Sequence, residues 1–139
     1  MAGRGLQTVA LDHVVLRVRD IDRSIDFYGG ILGLDIESLE EYRAGTRPFA
    51  SARVGDQLID LLPDPTFAGS GGQGNGPFAH VCVRVAAHLE DEVLPQLRTH
   101  DVEVLEAEPV MRLGATGYGR SIYVRDPDGY VLELKEEAR

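Results

Sequence analysis

The sequence predicts an α+β fold built from two copies of one βαβββ unit, and three observations carry that expectation. His13-Val14-Val15-Leu16-Arg17-Val18 returns as His80-Val81-Cys82-Val83-Arg84-Val85, both reading H-V-x-[LV]-R-V. Leu58-Ile59-Asp60-Leu61-Leu62 is echoed by Val131-Leu132-Glu133-Leu134-Lys135, at a longer spacing that requires insertions in the second half. Between the copies stands Gly69-Ser70-Gly71-Gly72-Gln73-Gly74-Asn75-Gly76, a composition that cannot bury apolar surface and reads as a flexible linker. The expected organisation is one domain over 1–139, with module one at about 9–63, the Gly-rich linker at about 64–77 and module two at about 78–137.

Each half shows the same order of signals. His13 and His80 open apolar, β-branched runs suited to strands. Asp20 can cap a helix starting near Ile21, with Ile21, Ile25, Tyr28 and Leu32 on one face and Gly33 as its stop. The second helix is expected from about Ala87 to Thr99, striped by Leu89, Val93 and Leu97, with Pro95 kinking or shortening it. Three strands then follow in each half, at about 34–42, 48–54 and 57–62, and at about 102–107, 120–125 and 130–135. Asp126-Pro127-Asp128-Gly129 joins the last two as a turn, to which no chemistry is assigned. Gly114 to Gly119 is expected to be a plain surface loop, the alternative being a flexible segment that closes over a substrate with Tyr118 as a lid.

The totals narrow the function classes. A chain of 139 residues with 43% hydrophobic and 27% charged content has the composition of a globular protein. A formal net charge of −9 disfavours nucleic acid and anionic membrane surfaces, both of which attract basic patches. One cysteine, Cys82, precludes an intrachain disulfide and suits a reducing compartment. No apolar h-region or membrane-length run is present, so a cytoplasmic location is expected. Cys82 is expected to be a small buried filler, with metal ligation or oxidation as the alternatives.

Strand alternation places the chemistry. His13, Val15 and Arg17 share one face opposite Val14, Leu16 and Val18, and His80, Cys82 and Arg84 oppose Val81, Val83 and Val85. Asp60 shares its face with Leu58 and Leu62, and Glu133 with Val131 and Lys135. If the apolar faces pack on helices, the other faces present two imidazoles and two carboxylates at repeat-equivalent positions. That donor set suits one divalent ion such as Zn, Ni, Co, Mn or Fe(II), with His13, Asp60, His80 and Glu133 as candidate ligands.

On these residues the chain resembles the vicinal oxygen chelate superfamily, which includes glyoxalase I, extradiol dioxygenases, fosfomycin-resistance proteins and bleomycin-binding proteins. The segments that carry the resemblance are His13 to Asp20, Arg23-Ser24-Ile25-Asp26-Phe27-Tyr28 and Asp126 to Leu134. The resemblance implies paired modules forming a curved mixed sheet around a central cleft, helices outside, often as a homodimer with the metal across its interface. It is most similar to bacterial glyoxalase I, whose His, Glu, His, Glu ligand set falls on His13, Asp60, His80 and Glu133. The arginine that contacts the substrate conjugate there falls on Arg17, and Arg84 is its counterpart in the repeat.

This implies a lyase or isomerase acting on a small substrate with vicinal oxygens, with a low-molecular-weight thiol as possible co-substrate. Glu133, then Asp60, would move the proton. Asp60 stands where glyoxalase I has a longer Glu, and Asp64 where it has an Asn that contacts glutathione, so an acidic group there disfavours glutathione. An extradiol-type dioxygenase would instead use His13, His80 and Glu133 as a triad, with Tyr123 catalytic. A drug-binding, bleomycin resistance-like module is the non-enzyme alternative, although those proteins lack the ligands and line a groove with aromatics, and aromatic content here is 6% with no Trp. A glyoxalase-like branch of stress and virulence proteins also resembles Pro109 to Ala115 and Arg120-Ser121-Ile122-Tyr123.

Overall fold

The computed structural model describes residues 5–8, 10–69 and 78–137. Its elements run β1 (His13–Val18), α1 (Ile21–Ile25) continuing as a π-helical segment (Asp26–Ile31), β2 (Asp35–Glu37), α2 (Leu39–Arg43), β3 (Ala50–Val54) and β4 (Gln57–Pro63). The second series is β5 (Val81–Val85), a π-helical segment (Leu89–Val93) leading into α3 (Leu94–Thr99), β6 (Val110–Gly114), β7 (Gly117–Arg125) and β8 (Val131–Glu136). Residues 70–77 of the expected linker lie outside the described residues.

The strands form two four-stranded mixed sheets, ordered β1-β4-β3-β2 and β5-β8-β7-β6. In each, the first strand runs parallel to the last and the other pairings are antiparallel. Register makes the repeat three-dimensional: Val15 lies opposite Asp60, and Cys82 opposite Glu133. This is the expected α+β architecture of paired βαβββ modules.

The alternation expected of the strands decides what is buried. Leu16, Val18, Ala50, Ala52, Ile59 and Leu61 of the first sheet, and Ile122, Val124, Leu132 and Leu134 of the second, join one buried cluster. Phe27, Tyr28, Leu89, Leu94 and Leu97 complete it from the helical segments. Burying each such large apolar side chain stabilises the fold by about 1.5–3 kcal/mol. Asp20 caps α1 as its residue type predicts, accepting from the N–H groups of Asp22 and Arg23. Gly33 follows that helix at φ +75°.

Three local expectations are corrected. The strand expected over about 34–42 stops at Glu37, because Ser38 takes φ +63° and turns the chain into the short helix α2, whose Leu-Glu-Glu-Tyr-Arg run favours helix. The strand expected over about 102–107 is reduced to a single bridge, Val104 to Val124, and the regular edge strand is β6, further along the chain. Pro109, without an N–H, sits in the break between them, where Glu106 turns its side chain back toward the sheet. The helix expected from about Ala87 starts at Leu89, and it changes from π-helical to α-helical at Leu94, beside Pro95, whose missing N–H removes a donor inside the run.

The Gly114–Gly119 stretch is not a loop. Ala115 and Thr116 form a tight turn and the flanking residues are strand, so Tyr118 stands exposed on β7 opposite Leu113. A strand residue paired in a ladder has no freedom to act as a lid.

Asp126-Pro127-Asp128-Gly129 is the expected turn, but it also joins the two modules. The Asp126 carboxylate accepts the Tyr28 hydroxyl at 2.6 Å and the N–H groups of Asp128 and Tyr130. Asp128 accepts the backbone N–H and the guanidinium of Arg19, both at 2.9 Å. The Tyr130 hydroxyl donates to the Arg17 carbonyl. Burial pushes the Asp126 carboxyl up to about 6, against the lowering effect of the hydroxyl and amide donors.

Candidate metal centre

Each module carries one imidazole beside one buried carboxylate. In the first, β1 and β4 set His13 Nε2 3.9 Å from Asp60 Oδ2, on the face turned away from the helices. His13 Nδ1 lies 2.6 Å from the exposed Asp12 carboxylate. That hydrogen bond, with Asp60 adding its charge, raises the His13 pKa above the ordinary value. A proton held on Nδ1 leaves Nε2 as the lone-pair donor, the carboxylate–histidine arrangement that orients metal ligands in general.

The Asp60 carboxylate is 4% exposed and anchored, Ser51 Oγ donating to Oδ1 at 2.5 Å while Arg47 donates to Ser51 at 3.2 Å. Ser51 reaches it because β3 and β4 pair these two residues directly.

In the second module, His80 precedes β5 and sets Nε2 3.2 Å from Glu133 Oε1. Glu133 is 6% exposed, and its register partner on β7 is Tyr123 where the first module has Ser51. Tyr123 does not anchor the carboxylate. Its ring packs edge-on against His80, with centroids 5.2 Å apart, and carries the Arg112 guanidinium 4.2 Å over its face. Burial and then the Glu133 charge raise the Tyr123 pKa, Arg112 opposing.

Glu106 completes this layer, accepting the Tyr123 N–H at 2.9 Å and pairing with Arg112 through both oxygens. Burial works against its charged form, but these donors outweigh it and hold the Glu106 carboxyl below its usual range.

The structure therefore brings His13 to Asp60 and His80 to Glu133, but among the described residues no three His, Cys, Asp or Glu side chains converge. Neither pair lines any of three clefts of about 600, 540 and 380 Å³. In both pairs the imidazole is open to solvent, His13 at 47% and His80 at 37%, while the carboxylate beneath it is buried. Chemically, each pair offers one imidazole and one carboxylate, donor types that suit a borderline divalent cation.

The remaining expected site residues are placed as follows. Arg17 is tied to Asp64 at 3.0 Å, so the cation meant for a substrate carboxylate is already paired. Arg84 is exposed on the same face of the second sheet as Glu133. Cys82 is exposed rather than buried, since it points to the uncovered face. Partial desolvation and the neighbouring Glu133 push its thiol up to about 11, so it is protonated at neutral pH. Strand alternation and motif spacing assign no role to Asp12, Ser51, Glu106 or Arg112. Ser51 becomes visible once β3 is registered on β4, whereas nothing local in the sequence marks the other three.

The Glyoxalase/Bleomycin resistance protein/Dioxygenase superfamily profile matches residues 10–134. The chain belongs to this superfamily. Among curated superfamily relatives, a virulence protein of Salmonella typhimurium is 31% identical over 127 residues, covering 91% of this chain and 83% of that protein. Its crystal structure superposes with a TM-score of 0.71 at 28% identity, covering 96% of this chain and 100% of the other. A glyoxalase domain-containing protein of Mycosarcoma maydis is 32% identical, covering 94% of this chain and 70% of that one. A probable lactoylglutathione lyase of Synechocystis is 29% identical, covering 88% and 91%. Among the described residues no helix is long and apolar enough to cross a membrane.

Proposed function

We propose that the chain is a divalent-metal-dependent, glyoxalase I-like lyase or isomerase acting on a small substrate with vicinal oxygens. The observation that carries this is the pair of repeat-equivalent half-sites, His13 with Asp60 and His80 with Glu133, each a solvent-open imidazole beside a buried carboxylate. In this reading two copies of the chain assemble so that one half-site faces the other, and His13, Asp60, His80 and Glu133 hold one ion between them. Nδ1 of His13 is already committed to Asp12, which leaves Nε2 for the ion. When bound, the ion would stabilise negative charge developing on the substrate's oxygens.

The chain's own residues divide the remaining work unevenly. Ser51 fixes Asp60 in place, whereas among the described residues Glu133 has only the His80 contact to hold it. Glu133 is therefore the carboxylate with the freedom to take a proton from a substrate carbon and return it to the neighbouring one. Arg17, neutralised by Asp64, offers little to the carboxylate of a glutathione conjugate, so a different or smaller thiol adduct fits better. The similarity to a probable lactoylglutathione lyase supports the reaction class.

Tyr123 against His80 favours one second reading, an extradiol-type dioxygenase using His13, His80 and Glu133 with Asp60 as a bystander held by Ser51.

The test is metal analysis and Zn(II) or Co(II) titration of wild type, His80→Ala and Glu133→Ala, with size measurement in solution. The expected result is one ion per site in a dimer, lost in both variants. Wild type that binds no divalent ion, with thermal stability indifferent to chelation, overturns the proposal. With metal bound, isomerisation of methylglyoxal–thiol adducts supports the lyase, and oxygen uptake with catechols supports the dioxygenase.

A further inference from the structure

We propose that Arg112 is a positioning residue for the second half-site, holding the Tyr123 ring against His80 so that the imidazole keeps Nε2 on Glu133. The inference rests on the reading of His80 and Glu133 as metal ligands and adds a support that the ligand set does not include.

The geometry forms one continuous chain of contacts. The edge strand breaks between Val104 and β6, and in that break the Glu106 carboxylate takes the place of a backbone acceptor for the Tyr123 N–H. Both Glu106 oxygens also grip the Arg112 guanidinium, which donates to Ser121 Oγ at 2.9 Å and to the Ser121 carbonyl at 3.3 Å. Lys135, 4% exposed, donates to the Arg112 carbonyl at 3.2 Å, fixing its backbone as well. A planar guanidinium bonded through both terminal nitrogens is held in place, and its carbon lies 4.2 Å over the Tyr123 ring centroid.

A cation over an aromatic face is attractive, and at a partly desolvated site it is stronger than at the surface. Tyr123 is thus held from above while its edge meets His80.

The comparison between modules gives this layer its meaning. In the first module the residue opposite the carboxylate is Ser51, which hydrogen-bonds Asp60 directly, while Asp12 orients His13. In the second, among the described residues, no bond of this kind reaches His80 or Glu133 except the one they share, and Tyr123 stands where Ser51 would. One half fixes its pair through hydrogen bonds. The other does so through packing, and Arg112 is what makes that packing rigid.

The experiment uses the full-length protein. His80 imidazole resonances, assigned by their loss in His80→Gln, report the ring current of Tyr123 without any metal. Tyr123→Leu should move them, Arg112→Leu should move them in the same direction, and the double variant should move no further than Tyr123→Leu alone. In the metal arm, Arg112→Leu should weaken Zn(II) or Co(II) binding by about 10–100-fold, the usual effect of losing a support behind a ligand.

An Arg112→Leu protein that keeps its native amide spectrum, with His80 resonances unmoved, overturns the proposal. So does a double variant whose shifts add. If Arg112→Leu does not fold, Glu106→Gln gives the same readout, since it keeps an oxygen for the Tyr123 N–H and discharges the pair. Wild type that binds no metal sinks the metal-site reading alone, because the ring-current arm still decides what Arg112 does.

Discussion

Asp126→Asn should abolish the pH dependence that the module junction contributes to stability. The wild-type carboxyl is buried, with its pKa moved from 3.8 to about 6. A raised acid pKa means that the folded chain binds this proton more tightly than the unfolded one. The group therefore favours folding most below the unfolded pKa, loses that contribution as pH rises through about 4–6, and is level above. At 1.36 kcal/mol per unit, the whole swing is about 3 kcal/mol, of which about 2 kcal/mol falls between pH 4.5 and 7.5.

The amide is close in shape, keeps an oxygen for the Asp128 and Tyr130 N–H groups, and lets the Tyr28 hydroxyl turn from donor to acceptor. Urea unfolding of both proteins at the two pH values gives the difference directly. Glu37, Asp64 and Glu106, whose lowered pKa values make the fold lose stability as pH falls, act equally in both proteins and cancel. The stability of Asp126→Asn relative to wild type should rise by about 2 kcal/mol from pH 4.5 to 7.5. A difference that does not change with pH would refute the burial argument.

Two further outcomes follow from packing. A Cβ at Gly114 would stand 2.5 Å from Lys135 Cε, and one at Gly119 would stand 2.6 Å from Lys135 Nζ and 3.0 Å from the Glu136 carbonyl. Gly114→Ala should cost about 1–3 kcal/mol by overpacking. Most of that loss should vanish in a Lys135→Ala background, whereas Gly119→Ala should stay costly there because backbone cannot retreat; urea unfolding measures all four proteins. The buried Glu136 carboxylate accepts the Leu89 N–H at 2.7 Å, at the start of the second helical segment. Glu136→Ala should cost about 1–3 kcal/mol in thermal or urea unfolding, with Glu136→Gln closer to wild type because it keeps an acceptor.

The parts of the fold legible in the sequence were those specified by local periodicity. The β1 and β5 repeats, the apolar faces of β4 and β8 and the Asp20 cap all follow from residue types a few positions apart, and each stands where it was expected. The errors came where a long-range partner overrode a local pattern. Val102 to Ala107 alternates like a strand, yet Pro109 and the pull of Arg112 on Glu106 interrupt the ladder and move the regular strand to β6.

Of the candidate site, the two histidine–carboxylate pairs were legible, since alternation put His13, Asp60, His80 and Glu133 on one kind of face. It was not legible in its supports, because the contacts of Ser51 with Asp60 and of Glu106 with Tyr123 depend on register. Nor was the junction visible: Tyr28 and Asp126 are separated by 98 residues, and Asp-Pro-Asp-Gly carries the composition of an ordinary turn.

That turn leads directly into β8, and so into Glu133. Asp128 is clamped to the first module through Arg19, and β8 begins three residues on at Val131, with Glu133 two residues into it, about 7 Å from its start at the usual rise. The hairpin is thus a lever with its fulcrum at the junction and its working end at the carboxylate. A tilt of a few degrees at the fulcrum displaces the far end by roughly half an ångström. Substitutions at Arg19, Tyr28 or Asp128, remote from any ligand, are thereby wired to the aim of Glu133, and slackness there would surface as a badly aimed carboxylate long before it surfaced as unfolding.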